Sequence, residues 1–278
     1  RGGSGYARVR RWAVTPGDVV APEYQADDAL SEYLDVLHER RLRPAFLAVA
    51  DPDPYLRRAM DLTEVADEAV LDLADFTLVG KKRANLRHSN TSARRAGLTV
   101  HAFAPEHAGQ IAEISQEWLR TKRGGEMGFT LSRHDDILDQ VRAHVADLWV
   151  IVDEQQRVQA YCTWRHYRGG QARVIDVMRR RADAPNPAMD SLLVTALERY
   201  RDAGLVEASL ASVPRDHGAF ADRIYPSRSL RAFKQKFAPR WEPRWLAVPA
   251  ARHRPFAMAA VGRAYSPGGL TRALRHNR

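Results

Sequence analysis

The sequence predicts a mixed α/β (α+β) fold built from two lobes, and three observations carry that expectation. LWVIV (148–152), VQAYCTWRH (158–166) and ARVIDVMR (172–179) are apolar runs rich in β-branched and aromatic residues. Their connectors, DEQQR and YRGGQ, are short enough for hairpins, so the three form an antiparallel meander. On either side lie stretches whose apolar residues recur at helical spacing. The first half repeats this mixture more weakly, and 278 residues, 45% hydrophobic and 28% charged, suffice for two globular lobes.

In chain order, strands are expected at 11–15 and 44–50 around an amphipathic helix over 28–40, with a short helix near 55–62. EAVLDL (68–73) reads as a further strand, and the basic stretch 82–96 as a helix stopped by Gly97. LTVHAF (98–103) is a strand; Pro105 and the spacing Ile111, Ile114, Trp118 then open a helix, and a second runs over 133–144. After the meander Asn186 caps, and Pro187 opens, a helix in which Met189, Leu192, Leu193, Ala196, Leu197 and Tyr200 keep the helical period; Gly204 stops it. LVEASLAS (205–212) returns as a strand. Strand, two helices, three meandering strands, helix, strand is the order of a GNAT-type acyltransferase domain. The expected architecture is therefore a tandem GNAT-type fold, each lobe a mixed, largely antiparallel sheet flanked by helices. Its parts are an N-terminal lobe at 1–100, a catalytic lobe at 101–250 and a basic C-terminal tail at 251–278.

Charge narrows the function. Lys and Arg number 43 against 34 Asp and Glu, a net charge of +9, and the excess is clustered. Residues 81–95 hold Lys81, Lys82, Arg83, Arg87, Arg94 and Arg95 with no acid, and 214–278 carry fourteen basic residues against Asp216, Asp222 and Glu242. The stretch 51–75 is the reverse, eight carboxylates against Arg57 and Arg58. Two basic surfaces facing a polyanion account for the clusters, and solvated helix faces are the equal rival. No apolar run approaches the roughly 18 to 20 residues that span a bilayer, and no signal peptide is evident. The opening RGGSG, without Met, suggests a piece of a longer protein or a cloning remnant. One cysteine, Cys162, excludes an internal disulfide and a cysteine-cluster zinc site, and fits a reducing compartment. The ten histidines show no ligand spacing, so no metal is expected, and Cys162, mid-strand among apolar residues, reads as core.

GNAT acetyltransferases hold the coenzyme A pyrophosphate on backbone N–H groups of a glycine-rich loop. The corresponding loop here, RRRADAPNPAM (179–189), has no glycine and two prolines, so coenzyme A is not the expected donor and no cofactor is expected. Three constellations remain. Asp176 and Arg179 in VIDVMRR would orient an acceptor hydroxyl or an anionic headgroup, but residues three apart on a strand share a face only where the strand bulges or ends. In SLRAFKQKFAPRWEPRWLAV (229–248), Leu230, Phe233 and Phe237 take one helical face while Arg231, Lys234 and Lys236 point away or flank it; Trp241 and Trp245 follow as flat faces for a nucleobase. The third is 81–95, where Arg87, Arg94 and Arg95 form a phosphate track.

At these residues the chain resembles the C-terminal synthase domain of the phosphatidylglycerol lysyltransferase (multiple peptide resistance factor) family. The match runs through ADEAVLDLADFTLVGKKRANLR (66–87), ISQEWL (114–119), EMGFTLSR (126–133), VIDVMR (174–179), MDSLL (189–193) and LRAFKQKFAPRWEPRWL (230–246). The resemblance implies transfer of an aminoacyl group, lysyl or alanyl, from aminoacyl-tRNA to a hydroxyl of phosphatidylglycerol at the cytoplasmic face of the membrane, often behind a transmembrane flippase region. It implies Asp176, Arg179, Lys234 and Lys236 as catalytic, Arg87, Glu126, Phe129, Ser209 and Ser212 as substrate-binding, and Lys81, Lys82, Arg83, Arg94 and Arg95 as tRNA-binding. In SLASVPRDHG (209–218) the chain departs from the family's Gly-Met-Ala-Pro-Leu-like strand end, which leaves the acceptor pocket and the amino acid open. Asp72, Asp75, Glu117 and Glu126 are candidates for an acidic pocket that takes a lysyl side chain. Two rivals share the motifs, a soluble aminoacyl-tRNA transferase with a small-molecule acceptor and a non-catalytic tRNA- or membrane-binding module. The tail mixes Arg with Phe256, Met258, Leu270 and Leu274, as a segment drawn to an anionic lipid surface does.

Overall fold

A computed structural model describes residues 5–120, 132, 134–215 and 227–265. The chain divides into two compact units: the first holds the described residues up to Asp67 and from Pro243 onward, the second those from Glu68 to Glu242. Two strands, β4 (Asp61–Asp72) and β10 (Arg240–Val248), give residues to both.

In the first unit β1 (Ala7–Val9) runs antiparallel to β2 (Trp12–Pro16), β2 parallel to β3 (Arg43–Val49), and β3 antiparallel to the end of β10. A parallel pair needs a crossover, and α1 (Ala26–Glu39) supplies it. Alternation along β3 then sends neighbouring side chains to opposite faces. Phe46 joins Leu30 of α1, Val49 and Tyr55 of the short α2 (Asp53–Leu56), whereas Ala45 joins Trp12, Val14, Leu246 and Val248. The second of these clusters is covered by Ala257, Ala260, Val261 and Ala264 of a helix, Arg254–Tyr265, in the region expected to be a tail.

The second unit follows the element order expected from the sequence. Its strands lie β4-β9-β8-β7-β6-β5, from β5 (Thr99–Ala102), β6 (Ala146–Val152), β7 (Val158–Tyr167), β8 (Ala172–Arg180) and β9 (Glu207–Pro214). The meander β6-β7-β8 is antiparallel throughout, and β9 joins β8 in parallel. Both faces of β7 are covered, so Val158 to Trp164 are buried without interruption. On one face α3 (Ala84–Arg95) and α6 (Ala188–Asp202) pack with Cys162, Trp164 and Ile175. On the other, α4 (Ala108–Arg120) and α5 (His134–Arg142) bring Ile111, Ile114 and Ile137 against Leu148, Tyr161 and Val177. The next helix, α7 (Ser227–Gln235), closes on the first face through Phe233 and Phe237, and Arg254–Tyr265 is α8. Gly97 ends α3 with φ at 70°, a left-handed conformation in which glycine is the least strained residue.

Candidate active site

The site is built where two parallel strands part. β8 and β9 pair only over Ala172–Val174 against Glu207–Ser209, although β8 continues to Arg180 and β9 to Pro214. Beyond that point each strand offers groups that the other does not take up: Asp176 and Arg179 on β8, Ala211 and Ser212 on β9.

On β8 a bulge sets the geometry. Trp164 pairs with Ile175 and Cys162 with Met178, so two steps along β7 match three along β8, and the Val177 N–H turns to the Thr163 hydroxyl at 3.0 Å. Ile175 and Met178 both pack on the α3/α6 face, while Val177 packs on the α4/α5 face. The extra residue resets the alternation and carries Asp176 to the α4/α5 face, where Arg179, opposite Tyr161 in register, also lies. Partners from that face hold both. The Asp176 carboxylate accepts the Ser132 N–H at 3.1 Å, and Ser132 Oγ donates to Gln140 Oε1 of α5 at 2.9 Å. The Arg179 guanidinium, 4% exposed, lies over the Trp118 ring of α4, 4.7 Å from its centroid. A carboxylate and a planar cation thus share one face, the condition that spacing alone left open.

On β9 a second irregularity serves a buried amine. Ala211 adopts φ 62°, a left-handed conformation that turns the strand, and its N–H donates to Ser209 Oγ at 2.9 Å. The Ser209 hydroxyl in turn donates to Glu68 on β4. The Lys234 Nζ of α7 donates to the carbonyls of Ala211 at 2.9 Å and Ser212 at 3.1 Å. Lys234 is 2% exposed; burial pushes its pKa down to about 7, and the Glu68 charge acts against that shift. The expectation that Lys234 points away from the apolar face of α7 is corrected here. It lies on the buried stripe with Ser227 and Phe237, and the backbone carbonyls at the bulge are what make an inward amine tolerable. Ser209 and Ser212 both belong to this arrangement, Ser212 through its carbonyl. Sequence reasoning missed Glu68, whose only signal was that it is one of two carboxylates, with Asp72, in the apolar run EAVLDL.

The other expected residues fall elsewhere. Lys236 Nζ pairs with Asp190 in the first turn of α6 at 2.8 Å, and Ser89 of α3 donates to the same carboxylate at 2.9 Å. Beside them Ser191 Oγ donates to Asn90 Oδ1 at 2.8 Å, so this group joins α3, α6 and the end of α7. The Arg87 guanidinium donates to the carbonyls of Leu78 and of Gly80, the latter at 2.7 Å, and so braces the loop before α3. Lys81 and Lys82 are exposed, Arg83 stacks on Phe76 with its centre 5.5 Å from the ring, and Arg94 and Arg95 are exposed in the last turn of α3. Trp241 and Trp245 are strand residues of β10. Trp241 stacks under Arg231 at 4.2 Å, and Trp245 packs into the core of the first unit. Glu117 accepts the Ala182 N–H at 3.3 Å, and Asp72 accepts the Ala74 N–H at 3.0 Å. Asp75 is exposed. Glu126 and Phe129 lie outside the described residues.

Cys162 is fully buried, takes the Trp164 Nε1–H on its sulfur at 3.2 Å, and has its pKa pushed up to about 12 by burial. Among the described residues no group of His, Cys, Asp and Glu gathers as metal ligands do, and no helix is long and apolar enough to cross a membrane.

The family model for the C-terminal region of phosphatidylglycerol lysyltransferase matches residues 5–248. The phosphatidylglycerol lysyltransferase of Bacillus subtilis (strain 168) is 28% identical over 93% of this chain and 32% of its own length. That of Staphylococcus xylosus is 30% identical over 66% of this chain and 24% of its own length. The chain thus spans about a third or less of the curated relatives it matches. Among solved structures, the C-terminal domain of a putative lysylphosphatidylglycerol synthetase from Agrobacterium fabrum superposes with a TM-score of 0.83 at 26% identity, covering 95% of this chain and 86% of that one. L-PGS from Bacillus licheniformis gives 0.81 at 25%, covering 94% and 85%. With its sequence matched over residues 5–248 and its fold matched over nearly its whole length, the chain belongs to the family of phosphatidylglycerol lysyltransferase C-terminal domains.

Proposed function

We propose that the chain transfers an aminoacyl group, lysyl or alanyl, from aminoacyl-tRNA to a hydroxyl of phosphatidylglycerol. The observation that carries this reading is the β8 bulge, which sets Asp176 and Arg179 on one face beside the parted strands. An aminoacyl ester is already activated, so its exchange onto another hydroxyl is nearly neutral in free energy and needs positioning and charge stabilisation rather than a covalent enzyme intermediate. Asp176 orients the acceptor hydroxyl and takes its proton as the oxygen attacks the aminoacyl carbonyl. Arg179, with its rigid fork, holds the acceptor's phosphate. Lys234, whose amine changes charge near neutral pH, supplies a cation or a proton where negative charge builds before the tRNA ribose leaves. In the first turn of α6, where an acetyltransferase binds pyrophosphate, the Asp190 carboxylate is seated instead, which supports a donor other than coenzyme A.

Acceptor and donor meet at the cytoplasmic face of a cell membrane. The exposed cations of α3 and its preceding turn, Lys81, Lys82, Arg94 and Arg95, are assigned to tRNA phosphates. The test is to incubate the protein with a set of radiolabelled aminoacyl-tRNAs and phosphatidylglycerol vesicles and to separate the lipids. Label in an aminoacylated lipid is the expected result. An Asp176→Asn protein that folds should lose activity by roughly 10²- to 10⁴-fold. Full activity in that variant removes Asp176 from its role, and label appearing only in a water-soluble product replaces the lipid acceptor.

A further inference from the structure

The described residues hold a further basic cluster besides those that stand out in the sequence. In the first unit, arginines from three separate segments converge at one end of the sheet. Arg10 and Arg11 form the two-residue turn between Val9 and Trp12, which pair across it. Trp12 lies in register with Arg43, and the Arg43 N–H donates to the Arg11 carbonyl at 2.7 Å. Arg40 and Arg41 end α1 immediately before that strand. Arg252 reaches the same place from the turn before α8. His253 stands edge-on to Trp12 at 5.9 Å, and its pKa is lowered by burial and then by the charges of Arg252 and Arg43. Arg10, Arg11, Arg40, Arg41, Arg43 and Arg252 are all exposed, and none has an ion-pair partner among the described residues. Arg40 donates to the Tyr6 hydroxyl at 2.9 Å, and Glu39 is the acid beside it.

The backbone makes this surface open to a clean substitution. Arg10 has φ 56° and Arg41 φ 54°. A tight hairpin turn and the residue after a helix are where glycine or asparagine is least costly, because a Cβ strains the left-handed conformation. Seven other non-glycine residues among those described share this conformation, four of them alanines, so at Arg10 and Arg41 it marks where glycine can replace arginine without strain. Next to them, α8 exposes apolar side chains. Its inner face packs through Ala257, Ala260, Val261 and Ala264, yet Phe256, one turn beyond Arg252, is 64% exposed and Met258 41%.

We infer that this arginine-rich sheet end, with Phe256 of α8, is the surface by which the protein seats on an anionic phospholipid bilayer. The inference deepens the proposed function, on whose lipid acceptor it rests. Guanidiniums match lipid phosphates in charge, and an exposed aromatic ring beside them matches the boundary between headgroup and acyl chain, an environment that RNA phosphates do not offer.

The test floats the protein with vesicles of phosphatidylcholine alone or mixed with phosphatidylglycerol, and measures unfolding midpoint, charged-tRNA retention and transfer to a short-chain, water-soluble phosphatidylglycerol. The wild type should float only with the anionic vesicles. Arg10→Gly/Arg41→Gly relieves both strained positions, so its unfolding midpoint should hold or rise while partitioning falls roughly 10-fold or more. Phe256→Ser should weaken flotation without lowering the midpoint. Both variants should keep wild-type transfer to the soluble lipid; if the wild type lacks that transfer, the functional reading fails while flotation still decides the surface. No wild-type flotation, or a glycine variant that floats as well as the wild type, overturns the inference. Loss of tRNA retention with flotation unchanged overturns it as well, by giving the surface to RNA.

Discussion

Replacing Lys234 by methionine tests how the site handles a buried amine. An unfolded lysine titrates near 10.4, whereas Lys234 in the fold titrates near 7, held down by burial. The sign follows from proton counting. Between these values the unfolded chain holds a proton that the native state lacks, so stability gains about 1.4 kcal/mol per pH unit as pH rises. Below about pH 7 both states are protonated, and the cost of burying the cation is felt in full. A methionine side chain has no such titration and a similar shape, but it leaves the carbonyls of Ala211 and Ser212 without their donor at every pH, a constant loss of about 1 to 3 kcal/mol each. The wild type should therefore gain roughly 3 kcal/mol on Lys234→Met between pH 6 and pH 9, over and above that constant offset. Urea unfolding of both proteins across this range measures the difference directly. A stability difference flat from pH 6 to pH 9 would refute the argument, because it would mean that Lys234 keeps an ordinary pKa and remains a fixed cation.

Glu68→Gln removes the charge that opposes the shift of Lys234, so the pH at which the Lys234 contribution begins to rise should move to the acid side; an unmoved onset would show that Glu68 does not reach the amine. Lys236→Met strands the Asp190 carboxylate, 8% exposed, and should cost about 3 to 5 kcal/mol in urea unfolding, with most of the loss recovered in Lys236→Met/Asp190→Leu. A Lys236→Met protein of wild-type stability but without transfer activity would instead place that lysine in the chemistry. Cys162 should resist alkylation by iodoacetamide at pH 8 until the protein is unfolded, and rapid labelling of the native protein would contradict its burial and raised pKa.

How far the site was legible in the sequence depends on which interactions are local. The meander β6-β7-β8 and the helix after it follow from period-two and helical patterns within short windows, and β6 to β9 lie within a few residues of their expected bounds. β10 has no counterpart among the expected elements because Pro243 interrupts its run and Trp241 and Trp245 read as stacking faces, and α8 has none because its apolar residues fall on both faces and leave no amphipathic stripe. The division between units falls within β4 and β10, where a strand passes from one set of neighbours to another without a change in composition. Asp176 and Arg179 were visible as residue types, but their common face depends on one extra residue in register against β7, a tertiary fact that no pattern of alternation contains. Lys234 shows the limit most clearly. Helical spacing from Ser227 to Phe237 puts it on the inner stripe, and chemical type argued it outward. What decides is a pair of carbonyls turned by Ala211 on a strand more than twenty residues earlier, steadied by a serine whose acceptor, Glu68, lies 141 residues away in the chain. A buried lysine becomes readable only once the groups that satisfy it are known, and in this fold they come from separate strands of one sheet.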